Sequence, residues 1–163
     1  MYEKALAGFT RTLGPDHSST MDTIDNIGIV LRKMGKNKEA LEMYEKALAG
    51  LTRTLGPDHS STMNVSHCIA NVLREQGKFD EARELYDMVL AGHTRTLGPD
   101  HLGTLLASKD LASLLHKQGK LDEAKLQVEQ ALLGYTRVLG ADHPDTVKAN
   151  SLLDSIVEEL GSL

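Results

Sequence analysis

The 163 residues are 40% hydrophobic and 25% charged, a composition typical of one folded domain and not of a disordered chain. The net charge of −5 and the scattered Lys and Arg residues argue against a nucleic-acid partner, because a phosphate-binding surface needs concentrated basic residues. No apolar run reaches the roughly 18 residues of a membrane-spanning helix, and a single cysteine excludes an internal disulfide framework. We therefore expect a cytoplasmic protein without a signal peptide or a membrane partner.

The sequence repeats itself every 42 residues. Residues 2–21, YEKALAGFTRTLGPDHSSTM, return at 44–63 with one change, Leu51 for Phe9, and related segments follow at 86–101 and 128–143. Gly35, Gly77 and Gly119 keep the same step, each followed shortly by KEA or DEA. A fixed period of this size indicates a solenoid, in which each unit buries its apolar face against its neighbours.

In chain order, the pattern predicts a lone second helix at 1–13, helix pairs at 18–55, 60–97 and 102–139, and a capping first helix at 144–160. Apolar residues in each pair follow the i, i+3, i+4, i+7 spacing of one helix face. Glycines such as Gly35 end the first helix, Gly-Pro ends the second, and the Asp-His that follows offers a cap to the next helix. In the first pair the predicted core faces are Ile24, Ile27, Gly28 and Leu31, then Ala40, Leu41, Tyr44, Ala47, Leu48 and Leu51.

The two ends of the array differ from its middle. The helix at 1–13 has no partner, so we expect the chain to begin within a unit of a longer protein. In the last helix Asp154 replaces the small residues Gly28, Ala70 and Ala112. A carboxylate where two helices must approach closely predicts that no standard partner packs there, as expected for a cap.

These positions resemble the tetratricopeptide repeat, whose pattern combines small residues on the first helix with Ala and an aromatic residue on the second. The long period with LGPDH and QGKFDEA is similar to the kinesin light chain subclass, whose units exceed the common form of about 34 residues. The chain departs from the pattern in having no Trp, Val128 for an aromatic residue, and Thr52 for the closing Pro. The resemblance covers the whole chain and implies an all-α fold, a right-handed superhelical solenoid of antiparallel helix pairs with about eight helices.

The first helices differ between repeats although the second helices are copied. Between 22–34 and 64–76 only four of thirteen positions agree, three of them apolar and expected to face the core, Val30 included. Positions on the opposite face change, and in tetratricopeptide solenoids that face lines the concave groove. Unconstrained drift of exposed residues is the alternative explanation. The predicted groove residues are Asp22, Asp25, Asn26 and Ile29, then Asn64, His67 and Asn71, then Lys109, Asp110 and Ser113, and finally Lys148.

The chemistry of this set predicts a peptide ligand. An asparagine side chain can clamp a peptide backbone, since it carries both a donor and an acceptor. The acidic residues Asp22 and Asp25 belong to the first repeat, whereas Lys109 and Lys148 lie near the other end. A ligand that is basic at one end and acidic at the other would match this polarity.

Other chemistry is not supported by the spacing of the candidate residues. Equivalent histidines in stacked units are separated by at least about 8–10 Å, whereas metal bonds are near 2 Å. Cys68 beside His67 is predicted to be a passive thiol, because helix neighbours point about 100° apart and no third group is evident. The segment AGFTRTLG lacks the glycines and the Lys-Ser/Thr of a phosphate loop. We therefore predict no catalytic residue, metal or cofactor, and a structural role for His17, His59, His101 and His143.

The sequence therefore predicts a protein-interaction scaffold that holds an extended or short helical peptide of a partner protein in the concave groove. The resemblance to kinesin light chains implies a cargo or adaptor role. Two alternatives remain open. The unpaired end helices could stack end to end and make the chain a self-assembly module, or the array could be the repeat sensor part of a larger signalling protein.

Overall fold

The computed structural model describes residues 18–162 together with Gly8, Arg11, Thr12 and Gly14, and in this part of the chain it shows seven α-helices and no strand. The all-α prediction is confirmed, and the predicted helix at 1–13 lies largely outside the described residues. The division into repeats at 18–55, 60–97 and 102–139 stays a prediction. The helices are α1 (Ser18–Lys33), α2 (Asn37–Leu55), α3 (Ser60–Glu75), α4 (Phe79–Leu97), α5 (Leu102–Lys117), α6 (Leu121–Leu139) and α7 (Pro144–Gly161).

The chain divides into two compact units, which we call the N-terminal unit (Met1–Lys78) and the C-terminal unit (Phe79–Leu163). In the N-terminal unit α2 packs against both α1 and α3, and α1 also touches α3. In the C-terminal unit each helix packs against the next one, and α5 also touches α7. Both units are therefore built from helices packed in adjacent pairs, as the sequence pattern predicts.

A left-handed glycine ends the first helix of each pair. Gly35 has φ of 70°, which a residue with a side chain rarely adopts. Its N–H donates to the Arg32 carbonyl at 2.9 Å, and the Lys36 N–H donates to the Leu31 carbonyl at 2.9 Å. These bonds satisfy two carbonyls at the helix end and turn the chain directly into α2.

The connection from a second helix to the next first helix has a fixed geometry. The Thr62 hydroxyl donates to the Gly56 carbonyl at 2.8 Å, across the Pro-Asp-His connection. This bond joins the end of α2 to the first turn of α3. It recurs at the same length in the other three connections, from Thr20 to Gly14, Thr104 to Gly98 and Thr146 to Gly140.

Histidine caps the helix that follows three of these connections. His59, His101 and His143 have extended backbone conformations, and each Nδ1 accepts the N–H of the residue two positions later, at 3.1–3.2 Å. A free N–H at a helix start is thereby satisfied. The predicted structural role is confirmed for these three residues, whereas His17 lies outside the described residues.

The small residues allow the helices to approach closely. A Cβ atom on Gly28 would lie 1.7 Å from the Tyr44 hydroxyl oxygen, so the Tyr44 ring occupies the space that a side chain on α1 would need. On α6, a Cβ atom at Gly134 would lie 2.3 Å from Leu105 Cδ2. Tyr44 and Leu105 are 1% and 4% exposed, respectively, so both close contacts are part of the core.

The predicted core of the first pair is confirmed for its central residues, because Ile24, Ile27 and Leu31 are buried. The expectation for Val30 is wrong, since this side chain is 42% exposed, whereas its equivalent Val72 on α3 is fully buried. The two positions are related by the repeat, but the helix face they occupy is covered on α3 and open on α1.

We predict that His101→Ala lowers the free energy of unfolding by about 1 kcal/mol, because the Gly103 N–H loses its acceptor at the start of α5. His101→Asn keeps an acceptor at the cap and should retain most of the stability. Urea denaturation of both variants measures the difference. Equal losses in the two variants would argue against a capping role.

We also predict that Gly28→Ala costs about 1–3 kcal/mol, because the new methyl group must displace the Tyr44 ring. The third repeat combines Ala112 with the smaller Val128 at the same two positions. The Gly28→Ala change should therefore cost less in a Tyr44→Val background, which a double-mutant cycle of unfolding free energies measures. Additive effects would show that the two positions do not share this space.

Candidate peptide-binding surface

The face of the N-terminal unit that α1 and α3 form carries most of the predicted groove residues. Asn26 and Ile29 on α1 and Asn64 on α3 are exposed, Ile29 to 43%. Asp25, His67 and Asn71 are half-buried on the same two helices. Asp22 belongs to α1, but its side chain lies outside the described part of the structure.

A hydrogen-bonded chain joins α1, α2 and α3 below this surface. The Cys68 thiol donates to Asp25 Oδ1 at 3.2 Å, and the Tyr44 hydroxyl is hydrogen-bonded to Cys68. Burial raises the pKa of the Cys68 thiol, and the Asp25 carboxylate raises it further, so the thiol stays protonated. Burial is also the main cause of the raised pKa of Tyr44, followed by the proximity of Cys68. The thiol therefore acts as a structural donor, in agreement with a passive role.

One ion pair connects α1 and α3 near their C-terminal ends, and one amide hydrogen bond lies within α3. Arg32 on α1 forms an ion pair with Glu75 on α3, and its Nε donates to Glu75 Oε2 at 3.1 Å. The hydrogen bond to Glu75 raises the pKa of Arg32. Arg74 donates to Asn71 Oδ1 at 3.0 Å, which orients the amide of Asn71. The side-chain oxygen of Asn71, a predicted groove residue, therefore already accepts a hydrogen bond within the chain.

The predicted residues of the C-terminal unit lie on α5 and α7. Asp110 is only 8% exposed, and its Oδ1 lies 3.1 Å from Lys109 Nζ. Ser113 is half-buried on the same helix. Lys148 on α7 is exposed, and its Nζ donates to Asp145 Oδ1 at 3.1 Å. Both predicted lysines therefore have a carboxylate partner within the chain, and Lys148 is the more accessible of the two.

The structure brings the predicted residues together within each unit to different degrees. Asp25, Asn26, Ile29, Asn64, His67 and Asn71 belong to two helices joined by the Asp25–Cys68 hydrogen bond. Lys109 and Asp110 form a pair on one helix, while Lys148 pairs with a residue of its own helix.

Sequence reasoning missed the role of Cys68 in joining the first helices. Residues of successive first helices contact each other at a separation of 43 positions: Asp25 with Cys68, and Arg32 with Glu75. In the C-terminal unit His116 Nε2 lies 2.8 Å from Glu159 Oε2 at the same separation. This separation, one more than the repeat period, is the signal that could have identified these partners.

The described residues give no sign of a metal site or a membrane span. In 18–162 and the four earlier described positions, no three His, Cys, Asp or Glu side chains are grouped to hold a metal ion. Within the same residues, none of the helices is both long and apolar enough to cross a bilayer.

Comparison with known proteins identifies the family. The sequence model of the tetratricopeptide repeat matches residues 1–53, 20–67 and 61–135. The chain therefore belongs to the tetratricopeptide repeat family, whose members generally mediate protein–protein interaction. No curated protein sequence matches the chain.

Solved structures extend the likeness to kinesin light chain-like repeats. The nearly identical repeats of a kinesin light chain-like protein of Podosopora anserina superpose with a TM-score of 0.81 at 25% identity, over 90% of this chain and 69% of that one. A single-substitution variant of that protein gives 0.74 at 25% identity, over 99% and 76%. BtubC (BKLC) of P. vanneervenii gives 0.82 at 20% identity, over 98% and 64%, which supports the fold alone.

We predict that Asp25→Asn increases the rate at which iodoacetamide alkylates Cys68. The carboxylate is one cause of the raised pKa of the thiol, so its removal lowers that pKa and increases the thiolate fraction at each pH. The rate is measured between pH 7 and pH 9 by mass spectrometry of the folded chain. Glu45→Gln, an exposed change on α2, serves as the control and should alkylate at the parent rate.

A rate that is unchanged in Asp25→Asn would show that access alone limits the reaction. Thermal denaturation of both variants excludes the possibility that a faster reaction reflects unfolding.

Proposed function

We propose that the chain is a cytoplasmic protein-interaction scaffold without catalytic activity, which binds a peptide segment of a partner protein on the faces of its first helices. The α1–α3 face supports this proposal most strongly. There the exposed side chains of Asn26, Ile29 and Asn64 lie on the same two helices as the half-buried Asp25 and His67. Polar groups beside an exposed apolar side chain are suited to hold a peptide backbone and one of its side chains together.

The chemistry of this face favours a particular kind of peptide. Among the described residues, the side-chain amides of Asn26 and Asn64 have no hydrogen-bonding partner, so each can donate to a peptide carbonyl and accept from a peptide N–H. Ile29 offers an apolar contact. The Asp25 carboxylate, fixed by Cys68, favours a basic residue nearby. We therefore propose a segment with one apolar and one basic side chain.

The C-terminal unit contributes a weaker charge preference in this proposal. Lys148 is exposed and can attract an acidic residue, but Asp145 already offsets part of its charge. Lys109 lies against the buried Asp110, so the Asp110 carboxylate offsets most of its charge. An acidic residue near Lys148 would add an attraction that salt screens.

The likeness to kinesin light chain-like repeats supports an adaptor role within this proposal. End-to-end stacking through α7 is less favoured. Asn150 Nδ2 donates to Asp154 Oδ2 at 3.0 Å on an exposed face, where Gly28 in the first repeat contacts Tyr44. Stacking a helix there would remove this polar pair from water, at a cost in free energy. A repeat sensor within a larger signalling protein would use the same peptide-binding faces.

Selection from a displayed library of random peptides with the purified chain tests the proposal. We predict that retained peptides bind at least tenfold more weakly to Asn64→Ala and to Ile29→Asp, a loss of about 1.4 kcal/mol or more. Asn64→Ala removes a backbone clamp, and Ile29→Asp removes the apolar contact. Glu45→Ala on the exposed face of α2 is the matched control and should bind like the parent chain. Fluorescence anisotropy with labelled peptides measures the affinities.

Retained peptides that bind both variants as tightly as the parent would reject the α1–α3 face as the binding surface. The absence of any retained peptide would count against peptide binding itself.

A further inference from the structure

The outer face of α6 carries two leucines that the other second helices lack. Leu126 and Leu133 are 56% and 63% exposed, and a separation of seven residues places them on one helix face. Single exposed leucines are common and need no explanation. Here, however, glutamate and alanine occupy the equivalent positions of both earlier second helices, which otherwise have closely similar sequences. These residues are Glu42 and Ala49 in α2, and Glu84 and Ala91 in α4.

A cleft of about 450 Å³ opens beside Leu133, between α4 and α6 and above α5. Its walls include the apolar side chains of Leu90 from α4 and Leu105 from α5. The Ser108 hydroxyl, also in the wall, already donates to the Gln127 carbonyl at 3.0 Å. The cleft can therefore accept an apolar side chain without leaving this hydroxyl unsatisfied.

The charges on the same face of α6 specify the orientation of a partner. Asp122 precedes the two leucines and Arg137 follows them, at positions that are symmetric about the point between Glu129 and Gln130. A second α6 in antiparallel orientation would place Leu126 against Leu133 and Asp122 against Arg137. Both charged residues are exposed.

Arg137 can take part in such a contact while keeping its existing bond. Its Nη1 donates to Asp100 at 2.6 Å, and its side chain is 58% exposed. The guanidinium has five N–H donors, so the others are available to a second carboxylate. The apolar and charged positions of this face are therefore complementary to those of the same face on an antiparallel second copy.

We propose that the outer face of α6 is a self-association surface, on which two copies of the chain pair through antiparallel α6 helices about a two-fold axis. Leu126 of each copy contacts Leu133 of the other at the mouth of the cleft, and Asp122 of each copy meets Arg137 of the other. The pairing is isologous, so it closes at a dimer. It uses none of the side chains assigned above to peptide binding.

Light scattering over a concentration series tests this surface. The parent chain of 17.8 kDa should approach twice that mass as its concentration rises. Leu126→Glu and Leu133→Ala introduce the residues of the other second helices, so both should fold normally, as circular dichroism can verify. Each should raise the dimer dissociation constant at least tenfold. Val157→Lys, at an exposed position on α7, is the matched control and should dimerise like the parent.

Cysteine cross-linking tests the antiparallel orientation. Gln130→Cys lies next to the proposed axis and should form a disulfide between copies under mild oxidation. Leu126→Cys should not cross-link to itself, because the two positions are about 10.5 Å apart along the helices, beyond the Cα separation of about 4.4–6.8 Å in disulfides. Mixing Leu126→Cys with Leu133→Cys should produce the cross-link. The parent chain, which contains only Cys68, is the control.

Three outcomes would overturn the proposal. A chain that stays monomeric at all concentrations would exclude self-association and would favour an amphipathic helix of another protein as the partner that covers Leu126 and Leu133. A dimer that persists in Leu126→Glu would place the interface elsewhere. Growth beyond a dimer that Val157→Lys abolishes would favour end-to-end stacking. The peptide-binding variants Asn64→Ala and Ile29→Asp should dimerise normally, so this proposal can fail independently of the proposed function.

Discussion

The close approach of paired helices at small residues is the constraint on which the rest of this structure depends. The Tyr44 ring fills the space that a side chain at Gly28 would need, and Leu105 does the same at Gly134. Because these contacts restrict the rotation of the helices that make them, they also decide which residues of those helices remain on the outside. Asn26 and Ile29 are exposed on α1 because Ile24, Ile27 and Gly28 are turned toward the core.

The connections fix where the first helix of the next pair begins. A threonine hydroxyl bonded to a glycine carbonyl and a histidine cap set the start of α3, and the same two contacts occur at α5 and α7. This gives a physical reason for the recurrence of the glycine, the histidine and the threonine in the connections at 56–62, 98–104 and 140–146. The resulting alignment brings successive first helices into contact at residues 43 positions apart, as with Arg32 and Glu75.

Much of the fold could be predicted from the sequence because its signals are local. Helix faces follow from apolar periodicity, and helix ends from Gly35 and the capping histidines. The environment of the candidate site could not be predicted so well, because it depends on how neighbouring helices stack. The exposure of Val30, the burial of Asp110 and the bond from Cys68 to Asp25 all involve residues distant in sequence. A 42-residue repeat shows which positions are equivalent, but not which have the same neighbours.

Differences between equivalent positions are informative only when burial is known. A change at a buried position, such as Tyr44 to Val128, alters the packing inside the chain, because both side chains are in the core. A change at an exposed position has no such effect inside the chain. Under the proposed function, the substitutions between α1 and α3 change what that face binds, whereas the change from Glu84 to Leu126 adds apolar surface in contact with water. Apolar surface stabilises the chain only when something covers it. This physical difference distinguishes a residue that supports the fold from one that is available to a partner.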